Sequence, residues 1–307
     1  MVGGNSAGKD GADGEFLVLG TSPIARSLSD ALIAGGARSR ISAEWSGLSR
    51  SGTMAIVAEP TMVDRTRDLL ASIRATDSTL AVAVLVRPSA VIGDPPLPGA
   101  TLHIDCSDGL DGTVQAVQSY RPTTEFELQF RGMLRESVVE SLRSGFRTHA
   151  ECESPHLRFQ SRLTGEVNAI VPFGGVGIRG RLIVSATQDS LRAILNRSLD
   201  TIALDGKEFD VDHLRGASGE IANLALGDLQ RRMRTFGVSL SLGYPMHMEG
   251  THSRLSFHGD RIAMVCPLTT DVGPIGVEAT LYQAPTELGA GPPIDSRADG
   301  PGDLTFF

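Results

Sequence analysis

The sequence predicts an α/β chain in which a doubly wound parallel sheet is followed by an α+β unit, whose mixed or antiparallel sheet is packed by helices. Three observations lead there. Over residues 15–120, short continuous Val/Ile/Leu runs alternate with helical segments, as in a parallel sheet covered on both faces. From residue 126 the rhythm changes to a long helix and then a series of adjacent strands. The chain has 307 residues, 41% hydrophobic and 21% charged, enough for two cores of ordinary size.

Residues 1–14 are Gly, Ala, Ser and charge, and read as a flexible, solvated tail. "FLVLG" (16–20) is a buried strand and "SPIARSLSDALIAGG" (22–36) a helix stopped by glycines. A strand follows near 39–45, then strand 53–59, helix 61–75, and strands 80–86 and 100–104. Helix 111–120 closes this region. Residues 121–125, "RPTTE", read as a linker. The second region, 126–283, begins with helix 126–146 and strands near 157–164, 166–173 and 178–186. It continues with helix 187–199, a long helical segment to 236, and strands near 238–244, 253–257, 261–268 and 276–283. Residues 284–307 are Pro/Gly-rich and read as a disordered tail ending in "DLTFF". That ending, an acid beside two aromatics, is either a docking peptide or a solvated end.

Formal net charge is −8, so no overall basic field points to nucleic acid or anionic lipid. The N-terminal stretch lacks the apolar core of a secretory leader, and no run approaches the roughly 18 apolar residues of a membrane span. Cys106, Cys152 and Cys266 are odd in number and widely spaced, suggesting neither a disulfide framework nor a zinc site. The expected setting is cytoplasmic, with no nucleic-acid or membrane partner.

Several motifs fall short of chemistry. "GGNSAGKD" (3–10) spells G-x4-G-K, yet Asp10 stands where a magnesium-binding Ser or Thr belongs, and neither a strand nor a helix flanks it. His247, His252 and His258 cluster without a matched ligand set, Cys152 and His156 are isolated, and no His-Glu-x-x-His occurs.

The segment "DHLRGASGEIANLALGDLQRRMRTFG" (212–237) is more informative. Asp212 is a suitable N-cap and Gly237 a suitable C′ stop. At about 100° per residue, Ile221, Ala225, Leu229, Met233 and Phe236 form an apolar stripe. Glu220, Asn223, Gly227, Gln230, Arg231 and Arg234 gather on the other face. Glu220 and Asn223 therefore point outward together, one turn before a side-chain-free notch at Gly227. Any surface helix carries polar residues opposite its apolar stripe, so on the pattern alone a solvated face is a sufficient explanation and a working one the lesser alternative.

Residues 217–250 resemble the signature segment of the CheX/CheC/FliY family of chemotaxis phosphatases, in which a Glu-x-x-Asn helix with a later glycine leads to a strand, a proline and a glycine. Glu220, Asn223, Gly227, Pro245 and Gly250 match that pattern. Residues 177–195 resemble the family's strand and second helix, and 130–146 its first helix. The similarity spans about 126–283 and is nearest to CheX, because the chain holds a single Glu-x-x-Asn. The resemblance implies dephosphorylation of a phosphorylated CheY-like receiver. Asn223 would hold the attacking water and Glu220 would pair with the receiver's lysine, while Gly227, Gln230, Arg231 and Arg234 would lie in the partner-binding face. It implies no cofactor on this chain, Mg2+ supplied by the partner receiver, and a homodimer among the expected states. The alternative is a non-catalytic signalling or scaffold module that binds a receiver or motor component through the same helix.

Residues 15–120 resemble a response-regulator receiver through their alternation. Glu59 stands where the phosphoaccepting Asp is expected, residues 16–22 lack the metal-binding acidic pair, and Cys106 falls at the lysine position. A degenerate receiver is expected, serving regulation, docking or dimerisation.

Overall fold

The computed structural model describes residues 15–45, 53–58, 63–77, 80–86, 100–105, 109–119, 124–152, 155–159, 161–199, 209–250, 254–255 and 262–283. Glu59, Cys106, His252, His258, the G-x4-G-K stretch and both tails lie outside them. The described residues form a mixed α/β fold with one large mixed sheet and six helices.

Five parallel strands open the chain: β1 (Glu15–Leu19), β2 (Arg38–Ser42), β3 (Thr53–Val57), β4 (Ala81–Val86) and β5 (Leu102–Asp105). They lie in the order β2-β1-β3-β4-β5, the order of flavodoxin-like sheets. Helices α1 (Pro23–Ala34), α2 (Val63–Thr76) and α3 (Gly109–Ser119) connect or follow them. Because strand side chains alternate, Phe16 and Val18 pack with Ala25, Leu28 and Leu32 of α1. Leu17 and Leu19 pack with Leu70 and Ile73 of α2 in a separate cluster. Ser22 caps α1 by accepting from the Ala25 amide at 3.2 Å, and its hydroxyl donates to the Ala58 carbonyl at 2.9 Å. That bond ties the ends of β1 and β3 together where a sheet of this order opens its crevice.

Helix α4 (Glu125–Phe146) starts at a capping box. Thr124 accepts from the Glu127 amide at 3.2 Å, and Glu127 accepts from the Thr124 amide at 2.9 Å. Strand β6 (Ala150–Cys152), not foreseen from the sequence, then pairs with β14 (Ile262–Thr270). The stretch expected as one strand at 157–164 divides into β7 (His156–Phe159) and β8 (Ser161–Arg162), and β8 pairs with β13 (Arg254–Leu255) in a separate two-stranded sheet of the described residues. The hairpin β9 (Val167–Gly175) and β10 (Ile178–Ala186) precedes α5 (Gln188–Leu199) and α6 (Val211–Arg234). The strand expected at 238–244 is shorter, β11 (Ser241–Leu242), and is followed by β12 (Met246–Glu249). Both pair with β9. Between them the Gly243 amide donates to the Pro172 carbonyl at 2.8 Å. Strand β15 (Ile275–Gln283) lies between β10 and β14.

The two regions share a sheet. Strand β5 pairs parallel with β7, Leu102 opposite Leu157 and His103 opposite Arg158, which joins them into thirteen strands. At this seam the His103 and His156 rings meet edge to face at 4.5 Å, and Arg158 pairs with buried Glu278. Burial lowers the His103 pKa to about 4; the Leu157 backbone hydrogen bond opposes the shift and Arg158 adds to it. No helix of the described residues is long and apolar enough to cross a membrane.

Candidate functional site

Helix α6 begins two residues earlier than the sequence suggests. Asp210, extended at φ −74° and ψ 175°, is the N-cap, and its carboxylate accepts from the His213 amide at 3.0 Å. Asp212 lies inside the first turn and pairs with Arg215 at 2.7 Å. Either Asp has the chemistry of a cap, and Asp210 is the one that serves. The far end agrees with expectation: Gly237 sits at φ +77°, a region open to glycine. Because the helix stops at Arg234, Phe236 leaves the apolar stripe and is 42% exposed.

The buried side of α6 is wider than one stripe. Leu214, Ala217, Ile221, Ala222, Ala225, Leu226, Leu229 and Met233 are all buried, because α6 packs against β9, β10, α4 and α5 together. Fully burying a Leu or Met is worth roughly 1.5–3 kcal/mol, so this face fixes the helix's rotation about its axis.

That rotation sets the outward face. Glu220 is exposed and Asn223 half-buried. At i and i+3 on a helix their Cβ atoms stand roughly 5–6 Å apart. Neither side chain is hydrogen-bonded or ion-paired to another described residue. Their neighbours differ sharply. Arg215 pairs with Asp212 and Glu249, Arg231 with Asp228, and Arg232 with Glu136 and Asp228. Burial works to raise the Asp228 pKa, but hydrogen bonds from Arg231 and Arg232 outweigh it and hold the carboxyl below its ordinary value.

The other expected members of this face divide. A Cβ built on Gly227 would meet nothing within 4 Å, so the notch is open. Gln230 turns its amide inward to donate to the Leu240 carbonyl, holding the end of α6 to the chain entering β11. Arg231 is exposed but tied to Asp228, while Arg234 is exposed with no partner among the described residues.

Three neighbours were not legible from helical spacing. Gly219, one turn before Asn223 on the same side, is covered by β12 and its approach. A Cβ there would stand 3.0 Å from His247 Cε1 and 3.6 Å from Pro245 Cβ. Burial, and secondarily Arg215, lowers the His247 pKa. Leu224, 36% exposed, fills the space that Gly145 of α4 leaves empty. The only available signal was the pairing of β12 with β9, which depends on distant partners. Among the described residues no group of three or more His, Cys, Asp or Glu side chains is placed to hold a metal ion.

No family model matches the chain, and no curated protein matches it. Solved structures of chemotaxis proteins are similar to half of it. CheX from Desulfovibrio desulfuricans is 19% identical, with 50% of this chain and 99% of that one covered and a TM-score of 0.42. A CheC-like superfamily protein from Shewanella sp. PV-4 is 15% identical, with 50% and 97% covered and a TM-score of 0.43. The CheX–CheY–BeF3–Mg2+ complex from Borrelia burgdorferi matches at 18% identity, 50% and 97% coverage and a TM-score of 0.40.

Proposed function

We propose that this chain is a CheX-like phosphatase of a phosphorylated CheY-like receiver, acting in the cytoplasm through Glu220 and Asn223. The observation that supports it is the state of these two side chains: outward on a helix held firmly from behind, and unengaged while the charged groups around them are paired. A helix surface kept only for solubility has no need of that contrast.

The chemistry follows from the residue types. A carboxamide both donates and accepts hydrogen bonds and is no base, so Asn223 holds and aims a water rather than taking its proton. The water oxygen attacks phosphorus in line as the bond to the aspartyl oxygen breaks, which releases carboxylate and inorganic phosphate. The contribution of Asn223 is orientation. Glu220 pairs with the receiver's lysine and sets the docked register. Gly227 lets the partner backbone approach, with Arg234 at the margin. In this reading Mg2+ belongs to the receiver. The N-terminal unit acts as a doubly wound, degenerate receiver that is not itself phosphorylated.

The test is phosphate lifetime on the receivers of the source genome. Wild type shortens it for a cognate receiver, and Asn223→Ala abolishes the effect while the far-UV spectrum and thermal midpoint stay unchanged. Equal activity in the two proteins overturns the mechanism. Binding that depends on Glu220 without any change in lifetime identifies a non-catalytic docking module instead.

A further inference from the structure

We propose that Arg147, at the C-terminal end of α4, is a second docking residue of the Glu220–Asn223 site and binds the anionic surface of the phosphorylated partner. This rests on the phosphatase reading above.

Helices α4 and α6 run antiparallel. Arg232 near the end of α6 pairs with Glu136 in the middle of α4, whereas Leu224, two turns earlier, reaches Gly145 in the last turn of α4. A Cβ on Gly145 would stand 2.6 Å from Leu224 Cδ1, so glycine there lets the two helices touch beside Asn223. Arg147 follows two residues later, a step of at most about 7 Å. Glu220 is about one helical turn, roughly 6 Å, from Leu224. Because the helices are antiparallel, the chain leaving Gly145 toward Arg147 runs in the direction of Glu220 along α6.

The backbone of Arg147 is unusual. It caps α4 in the left-handed region, φ 50° and ψ 31°, and among the described residues no other non-glycine residue has positive φ. Glycine is the ordinary occupant of this cap, because an L-side chain is disfavoured there. The strained residue is also exposed and has no carboxylate partner among the described residues, while Arg143 on the same turn pairs with Glu140. A guanidinium unpaired among the described residues is thus presented where glycine would suit the fold better.

The charges complement the proposed partner. An acyl phosphate and the carboxylates that hold its metal make an anionic pocket, and its lysine is a cation at the edge. Glu220 takes the lysine, and Arg147 takes phosphoryl or carboxylate oxygens, which its planar fork can grip with two hydrogen bonds. Two contacts of opposite sign fix the orientation of docking as well as its strength.

Arg147→Gly separates this role from a structural one, because glycine relieves the backbone. The variant should keep or raise the thermal midpoint, raise KM for the phosphorylated receiver about tenfold with kcat nearly unchanged, and flatten the salt dependence of KM. Arg147→Lys, which keeps the charge but loses the fork, should fall between. Affinity for the same receiver loaded with beryllofluoride should drop in parallel. Wild-type KM and wild-type affinity in Arg147→Gly overturn the inference. Asn223→Ala, measured alongside, reports on the parent reading: full activity there removes the phosphatase mechanism, and the affinity measurement still decides Arg147.

Discussion

Gly227 separates two roles a glycine can have on α6. Nothing lies within 4 Å of where its Cβ would be, so the fold does not require glycine at that position. Gly227→Ala should therefore stabilise the protein by about 1 kcal/mol, the helix-interior preference of Ala over Gly, as read from urea unfolding. On the proposed phosphatase reading, Gly227→Trp should remain folded yet lose receiver dephosphorylation, since the indole would occupy the proposed partner's approach. Retained activity in the Trp variant would show that the notch is not used. At this scale helical spacing was a sound guide to direction: Glu220 faces out, as 100° steps from Ile221 require. It was blind to what a side chain meets. Gln230 also points away from the stripe, but the Leu240 carbonyl turns its amide inward, and no local pattern contains Leu240.

At the scale of elements, α4 and α6 carry the residues of the proposed site, and both depend on their ends. The capping box of α4 satisfies two backbone donors reciprocally. Thr124→Ala should cost about 1 kcal/mol, measured as a lower urea midpoint with unchanged slope, and Thr124→Ser should restore most of it. Long elements such as α4 and β10 were legible because many residues repeat the same period. Two-residue strands such as β8 and β11 were not, since their existence is a matter of partners rather than of composition. The N-cap of α6 shows the same limit on a finer scale: Asp210 and Asp212 are chemically equivalent caps, and residue type does not choose between them.

Across the whole molecule, the seam between β5 and β7 carries a pH dependence. His103 stays neutral when folded, with its pKa lowered to about 4 from 6.5. The unfolded chain binds a proton below about pH 6.5 that the folded chain refuses until about pH 4. Stability is therefore full above that window and falls as pH drops through it, by up to about 1.4 kcal/mol per pH unit. Urea midpoints measured between pH 7 and 4.5 should fall with that slope in the wild type and less steeply in His103→Asn. His156, Arg158 and Glu278 face the same seam, and a slope unchanged in the variant would show that His103 does not carry the effect.

Read alone, the sequence determined the alternation of β1 through α3, the long helices, and the outward direction of Glu220 and Asn223. Each follows from the period of apolar residues within one segment, and burial of one face dictates where the other points. Tertiary structure decided the rest. It joined the two regions into one sheet through β5 and β7, folded β12 against α6 so that His247 covers Gly219, and brought the last turn of α4 to Leu224. Those contacts link residues dozens of positions apart. They depend on which edges and faces remain unpaired after local structure has formed, and no segment of the sequence encodes that by itself.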